Sequence, residues 1–185
     1  ACWTPTHIRG LSAADGTPLW AVPFEVKYGV SIATPIVHEN IVLINEYWAG
    51  SRAIQLEAEG ESMKASVLWV KADLCGLMAQ PHYRDGFVYL LDKSRGLCCF
   101  HLEKGEVIWQ DQDHRVTPAD RNPQATLVPL LGTNRALLLN AMGELLQLEL
   151  EPTGYRELAR AQLLGKTWAH PAYMGSRVYA RDDRS

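Results

Sequence analysis

Short apolar runs alternate with polar turns along most of the chain. Between residues 76 and 110 there are four such runs, rich in β-branched and aromatic residues, and the turns between them contain Asp85-Gly86, Ser94-Arg95-Gly96 and Lys104-Gly105. Runs of this length bounded by turn formers predict β-strands. We therefore expect strands at residues 76–83, 86–91, 97–102 and 106–110. Residues 155–164 also suit a short helix, but the repeat described below favours a strand there.

The same arrangement of residues returns four times around a proline. The prolines are 46, 48 and 42 residues apart, at Pro35, Pro81, Pro129 and Pro171. Each is followed by a turn former after five residues and by an acid or amide after eleven, at Glu46, Asp92, Asn140 and Asp182. We expect these last side chains to cap the turn after the second strand. A repeat of this length with four short strands is typical of a blade, so the predicted fold is an all-β propeller of four-stranded antiparallel blades.

A second repeated feature lies between the prolines. A turn that closes on glycine is followed four residues later by a large apolar residue, in the segments 16–20, 105–109 and 154–158. In the second unit an insertion at 57–65 replaces this turn. We expect the outer strands to fill the space between blades with Trp20, Trp69 and Trp109. Small residues should let the innermost strands approach one another, at Ala33, Ala79 and Ala169.

The phase of the repeat predicts how the chain is divided. We expect a half blade at 1–27, complete blades at 28–72, 73–120 and 121–165, and a half blade at 166–185. The two half blades could pair and close a ring of four blades. We expect instead a part of a larger propeller, because the sequence stops where a third strand should begin.

Two segments resemble a known repeat family. Gly86-Phe-Val-Tyr-Leu-Leu-Asp92 and Gly105-Glu-Val-Ile-Trp109 are similar to the PQQ-like (quinoprotein-type, BamB-like) propeller repeat. The resemblance implies a closed propeller of seven or eight blades in a bacterial periplasm or cell envelope. For BamB-like members it implies a non-catalytic scaffold that binds proteins, which is the function we expect. The alternative is a PQQ-dependent alcohol dehydrogenase that holds the quinone and calcium near the propeller axis.

Composition narrows the classes of partner. The formal net charge is -3 and the pI about 6.1, with no basic stripe, so nucleic acid is not expected. No apolar stretch approaches the 18 residues or more of a membrane-spanning helix. We expect a protein partner, and a small molecule at the propeller axis is a further option.

The candidate chemical groups favour structural roles. Cys98 and Cys99 are adjacent, like the vicinal disulfide of quinoprotein enzymes, but they lie in a predicted strand and should face opposite sides of the sheet. The histidines lack metal-ligand spacing. The polar connection at 110–122 holds Asp111, Asp113 and Asp120 without the spacing of a calcium loop. We therefore predict no catalytic, cofactor-binding or metal residue.

One set of residues remains as a candidate binding site. If the innermost strands line a central channel, the residues immediately before the prolines form a ring near one mouth of that channel. These residues are Thr34, Gln80, Val128 and His170. One hypothesis is that a small molecule or a peptide binds there, but the interpretation we favour is that these residues only fill the surroundings of a water-filled channel.

Overall fold

The computed structural model describes residues 1–60, 62–119, 123–182 and 184. Within these residues it has one turn of 3-10 helix (Lys27–Gly29) and five antiparallel sheets. The first sheet holds β1 (Cys2–Trp3), β2 (His7–Leu11) and β3 (Pro18–Pro23). The second holds β4 (Ile36–His38), β5 (Ile41–Glu46), β6 (Gly50–Glu59) and β7 (Ser62–Lys71). The third holds β8 (His82–Arg84), β9 (Phe87–Asp92), β10 (Gly96–His101) and β11 (Val107–Gln110). The fourth holds β12 (Ala125–Pro129), β13 (Arg135–Asn140), β14 (Glu144–Glu151) and β15 (Gly154–Gln162), and the fifth holds β16 (Ala172–Met174) and β17 (Arg177–Tyr179).

The three four-stranded sheets have the strand order of propeller blades. In each sheet the strands follow chain order, with the first strand at one edge and the fourth at the other. The first strands β8 and β12 contact each other, so the first strands lie on the inner side. The predicted all-β propeller is confirmed, and residues 154–162 form a strand rather than a helix.

The hydrophobic cores lie between neighbouring sheets. Val42 and Ile44 of β5 belong to the core shared with the first sheet, whereas Ile41 and Leu43 belong to the core shared with the third sheet. Successive residues of a strand face opposite sides. The residues of β5 from Ile41 to Ile44 are therefore all apolar, because both faces of this strand are buried.

Tryptophans of the outer strands dock onto the next sheet, as predicted. Trp69 of β7 donates a hydrogen bond of 2.8 Å from Nε1 to the carbonyl oxygen of Leu102, at the end of the third strand of the following sheet. Trp109 of β11 makes the equivalent bond of 3.0 Å to the carbonyl oxygen of Glu151. Trp20 is buried in the core between the first and second sheets. These indoles link each sheet to the one that follows it.

A β-bulge precedes each docking position. Trp69 lies opposite Ala53 and Val67 opposite Ile54, which leaves Leu68 as the extra residue. The other outer strands have the same bulge, at Leu19, Ile108 and Leu158. The sequence alignment that equated Leu158 with the tryptophans was therefore wrong by one residue, and the equivalent of Trp69 in β15 is Ala159.

Three further segments differ from or extend the predicted strands. The strand expected at 76–83 is reduced to β8, because Gly76 makes only a single bridge, to Asp92. The insertion at 57–65 lengthens the β6–β7 hairpin, whose Met63 packs on the core between the first two sheets. The first sheet has three strands rather than two, since β1 pairs with β2.

Within the described residues, β16 and β17 pair only with each other, so the two end sheets do not join.

The repeated acid or amide caps the turn after the second strand, as predicted. Asp92 Oδ1 accepts hydrogen bonds from the backbone N–H groups of Ser94 and Arg95, both of 2.8 Å. Asn140 Oδ1 accepts in the same way from Met142 and Glu144. Glu46 Oε2 caps its turn by accepting from the N–H of Trp48, and Asp182 Oδ1 accepts from the N–H of Arg184.

In Asp92 and Asn140 the other polar atom of the side chain binds the linker from the preceding blade. Asp92 Oδ2 accepts a bond of 2.7 Å from the N–H of Cys75. Asn140 instead donates from Nδ2 to the carbonyl oxygen of Val116 at 3.2 Å. A carboxylate thus faces a backbone donor and an amide faces a backbone acceptor, which explains why both residue types occur at one repeated position.

Candidate functional site

The two ends of the blades differ in what they present. Because the strands are antiparallel, the linkers that enter the first strands lie at the same end as the turns between the second and third strands. We call this the linker end. The opposite end carries the turns after the first and third strands, including Leu131, which is 95% exposed. Of the predicted ring, Thr34, Gln80 and His170 belong to the linker end.

Two residues of the predicted ring join neighbouring blades. The side-chain amide of Gln80 accepts a hydrogen bond from the backbone N–H of Thr34 and donates one to its carbonyl oxygen, both at 2.9 Å. This pairing imitates a step of a β-ladder, and it ties the linker before β4 to the linker before β8. Thr34 and Gln80 are thus in direct contact.

The third repeat has a different register, which changes the ring. In the second sheet Val37, two residues after the proline, lies opposite Val42. In the fourth sheet Pro129 itself lies opposite Ala136. The cause is the length of the turn. The turn after β4 has two residues, 39–40. After β12 the pairing continues to Leu130, whose N–H bonds to the carbonyl oxygen of Arg135, so the turn has four residues, 131–134.

The position equivalent to Thr34 and Gln80 is therefore Thr126 rather than Val128. Thr126 lies within hydrogen-bond distance of His170, with Oγ1 and Nδ1 3.2 Å apart. Ala125, which is buried, takes the place of the small inner residue that sequence alignment assigned to Leu127. Val128 lies two residues further along β12, opposite Leu137.

Large apolar side chains are exposed two residues before this ring. At that repeated position stand Ile32, Met78, Gln124 and Trp168. Ile32 and Met78 are 38% exposed and Trp168 is 65% exposed. The alternation along each segment is clear: Ile32 and Thr34 are exposed and Ala33 between them is buried. We call Ile32, Met78, Trp168 and the four ring residues Thr34, Gln80, Thr126 and His170 the linker-end cluster.

A small cavity lies within this cluster. It has a volume of about 10 Å³ and is lined by residues that include Met78, Gln124, Thr126 and Trp168. That volume holds about one water molecule. The Nε2 atom of Gln124 is buried and has no hydrogen-bond partner in the described residues. A water in this cavity would satisfy the amide, so the cavity itself has no room for a larger ligand.

The vicinal cysteines do not fit a quinone at the propeller axis. Cys98 lies in the core shared with the second sheet and Cys99 in the core shared with the fourth, as the alternation of strand residues predicts. Both side chains are fully buried, and they lie opposite Gln110 and Trp109 of β11 rather than beside a first strand. Burial raises the pKa of both thiols, that of Cys99 to about 12.

The acids of the connection after β11 also have structural partners. Asp111 accepts hydrogen bonds from the Tyr155 hydroxyl and the Val116 N–H, each of 3.0 Å. Asp113 forms an ion pair with Arg115. Asp120 lies outside the described residues. Among the residues that are described, no group of three or more His, Cys, Asp or Glu side chains is placed to hold a metal ion.

Sequence reasoning missed the exposed apolar position in the linkers. The signal was present, since Ile32, Met78 and Trp168 each stand three residues before a repeat proline. An apolar residue in a β-rich chain is expected to be buried, and only the folded structure shows that this position faces outward. In the part of the chain that is described, no helix is long and apolar enough to cross a membrane.

Comparison with known proteins adds a likeness of fold. No family model matches the sequence, and no curated protein matches it. Among solved structures, BamB from Moraxella catarrhalis is similar over 94% of this chain, with 15% sequence identity and a TM-score of 0.49. The chain spans 63% of the length of that protein. This likeness concerns the fold alone.

Proposed function

We propose that this chain is a non-catalytic, BamB-like propeller scaffold that binds other proteins, and that the linker-end cluster is its binding surface. The observation that carries the proposal is the exposed apolar position of the inner linkers. Three of the four occupants of this repeated position are large, apolar and exposed, whereas a position that served packing would be buried. Exposed apolar side chains grouped in this way mark interaction sites.

The chemistry of the linker-end cluster suits a protein segment. Met78 is flexible and polarisable, and Trp168 offers a large flat surface, a combination that accommodates apolar side chains of varied shape. The hydroxyl, amide and imidazole groups of the ring lie two residues away and supply donors and acceptors. An apolar centre with a polar rim is the usual composition of a protein interface.

Site-specific photo-crosslinking in intact cells tests the proposal. A benzophenone amino acid at position 168 or 78 of the full gene product should give a covalent adduct with a protein partner. The matched control is the same group at position 131, which is more exposed but lies at the opposite end. The same adducts from all three positions, or none from 168 and 78, would contradict the proposal.

Binding of the purified partner gives the second measurement. Truncation of an aromatic hot-spot residue costs about 2 kcal/mol or more, which is roughly a thirtyfold loss of affinity. We expect at least that loss for Trp168→Ala, and no change for Leu131→Ala. A small molecule that competes for position 168 while no protein is captured would replace the scaffold with a ligand-binding function.

A further inference from the structure

A row of aromatic rings with a lysine at each end lies at the linker end. Tyr28 and Trp48 are in edge-to-face contact with ring centroids 5.4 Å apart, and Tyr47 and Trp48 are in the same relation at 5.0 Å. The ammonium of Lys27 lies 5.2 Å from the Tyr28 ring, and that of Lys93 lies 4.9 Å from the Tyr47 ring. We call these five residues the aromatic row.

Three separate segments hold the aromatic row in place. Tyr47 and Trp48 belong to the turn after β5, where the buried Glu46 carboxylate accepts a bond of 2.5 Å from the Trp48 N–H. Lys93 comes from the equivalent turn of the next sheet and donates a bond of 2.7 Å from Nζ to the carbonyl oxygen of Tyr47. The row therefore bridges two blades, and its geometry is fixed by backbone contacts.

The backbone at Tyr28 is strained, and its ring is exposed. Tyr28 has φ 60° and ψ 10°, a left-handed conformation that costs a non-glycine residue energy. Its side chain is nevertheless 75% exposed, so burial does not compensate for the strain. Strained residues of this kind concentrate at functional sites.

The two lysines of the row are not held in ion pairs within the described residues. Neither Lys27 nor Lys93 forms an ion pair with any acid in the described part of the chain, whereas Arg95 beside Lys93 is paired with Asp73. Of the acids nearest the row in sequence, Glu46 and Asp92 are buried and cap turns, and Glu25 is exposed two residues before Lys27 but forms no ion pair with it. The row thus presents two cations around three rings on a chain whose net charge is -3.

We propose that the aromatic row binds an extended peptide segment of a partner protein in which acidic residues flank an apolar or aromatic residue. The contacts along the row are each about 5 Å, so its contour is on the order of 20 Å at most. An extended peptide rises about 3.3 Å per residue, so about six residues cover the row. Acidic groups then meet the lysines at the ends while the central side chain packs on Trp48. The inference rests on the proposed scaffold function but uses different residues.

Selection from a displayed library of random 12-residue peptides, with the intact chain as target, tests the inference. We expect enrichment of peptides that carry acids on both sides of an apolar residue. Fluorescence anisotropy of a labelled enriched peptide should show at least a tenfold loss of affinity for the Lys27→Glu/Lys93→Glu variant, and weaker binding at high salt. Lys104→Glu is the matched control, because Lys104 is exposed at the opposite end, and its affinity should stay within twofold of the wild type.

The variant Tyr28→Gly separates binding from folding. Glycine suits the left-handed backbone at this position, so the variant should keep the urea midpoint of the wild type and still lose several-fold in peptide affinity. Enriched peptides without acids, or peptides indifferent to the variants of the row, would overturn the inference. So would stronger binding to phosphatidylglycerol vesicles than to any peptide, since the ligand would then be a lipid surface. Loss of peptide binding in Lys27→Glu/Lys93→Glu with intact crosslinking from position 168 would leave the proposed function standing and assign the row a separate partner.

Discussion

Replacement of Trp69 by alanine tests whether the docked indoles hold neighbouring blades together. The indole lies edge-on to Phe100 of the next sheet, with ring centroids 6.1 Å apart, and donates a hydrogen bond to Leu102. Removal of a buried aromatic side chain costs about 3–5 kcal/mol. Because Trp69 is only partly buried, we take the lower end, about 3 kcal/mol, with the lost hydrogen bond included. For a chain of this size that predicts a fall in Tm of about 6–12 °C.

Thermal and urea unfolding of the full chain, followed by circular dichroism, measures this loss. The matched control is Trp168→Ala, since that indole is 65% exposed and its removal should change stability by less than about 0.5 kcal/mol. Trp69→Phe keeps most of the packing and removes only the donor, so it should cost about 1 kcal/mol. Equal midpoints for Trp69→Ala and Trp168→Ala would refute the docking argument.

Three further substitutions and conditions test the packing. Gly105→Ala should destabilise the chain more than Gly16→Ala. Both glycines have positive φ, but only at Gly105 would a Cβ lie 2.9 Å from the indole of Trp69. Equal urea midpoints for the two variants would contradict this. Burial raises the pKa of the Cys99 thiol from 9.0 to about 12, so the thiol ionises at lower pH in the unfolded chain than in the folded one. The free energy of unfolding should therefore fall as pH rises above about 9. A constant urea midpoint up to about pH 11 would argue against this. Asp92→Asn would place an amide N–H against the Cys75 N–H, and Asn140→Asp would place a carboxylate against the Val116 carbonyl oxygen. Each should lower the free energy of unfolding in urea by about 1–3 kcal/mol. Variants with unchanged stability would show that the linker bonds contribute nothing.

Much of the fold follows from repeated features that are local in sequence. The glycine-closed turns, the apolar strand runs and the tryptophans predict four-stranded blades because each feature reports a physical need at its own position. Trp69 and Trp109 are recognisable as packing residues because nothing else in a small blade can fill the space to the next sheet. The turn caps are recognisable for a similar reason, since Asp92 recurs where a turn leaves backbone donors unsatisfied.

The register of the third unit could not be predicted from the proline alone. Pro129 has no N–H to donate, and as the last residue of the edge strand β12 it is as well tolerated as Pro35 is just before β4. The longer turn at Leu131–Asn134 then shifts the pairing by two residues. A better guide would have been the small inner residue, since Ala125 is forced into that place by the close approach of the inner strands.

The aromatic row was beyond sequence reasoning for a different reason. Tyr28, Trp48 and Lys93 come from a linker and from turns of two different blades, and only the packing of blades places them together. Yet the sequence does contain one sign of the row. The turn after β5 carries two aromatic residues, whereas the equivalent turn after β13 carries Met142 and no aromatic residue. In a repeat protein a buried residue that recurs in every unit serves the fold. Residues that break the repeat while remaining exposed serve no packing need, so binding should be sought there first. Within the aromatic row Tyr28 meets that condition, since it is 75% exposed, whereas Tyr47 also packs against the core between the third and fourth sheets.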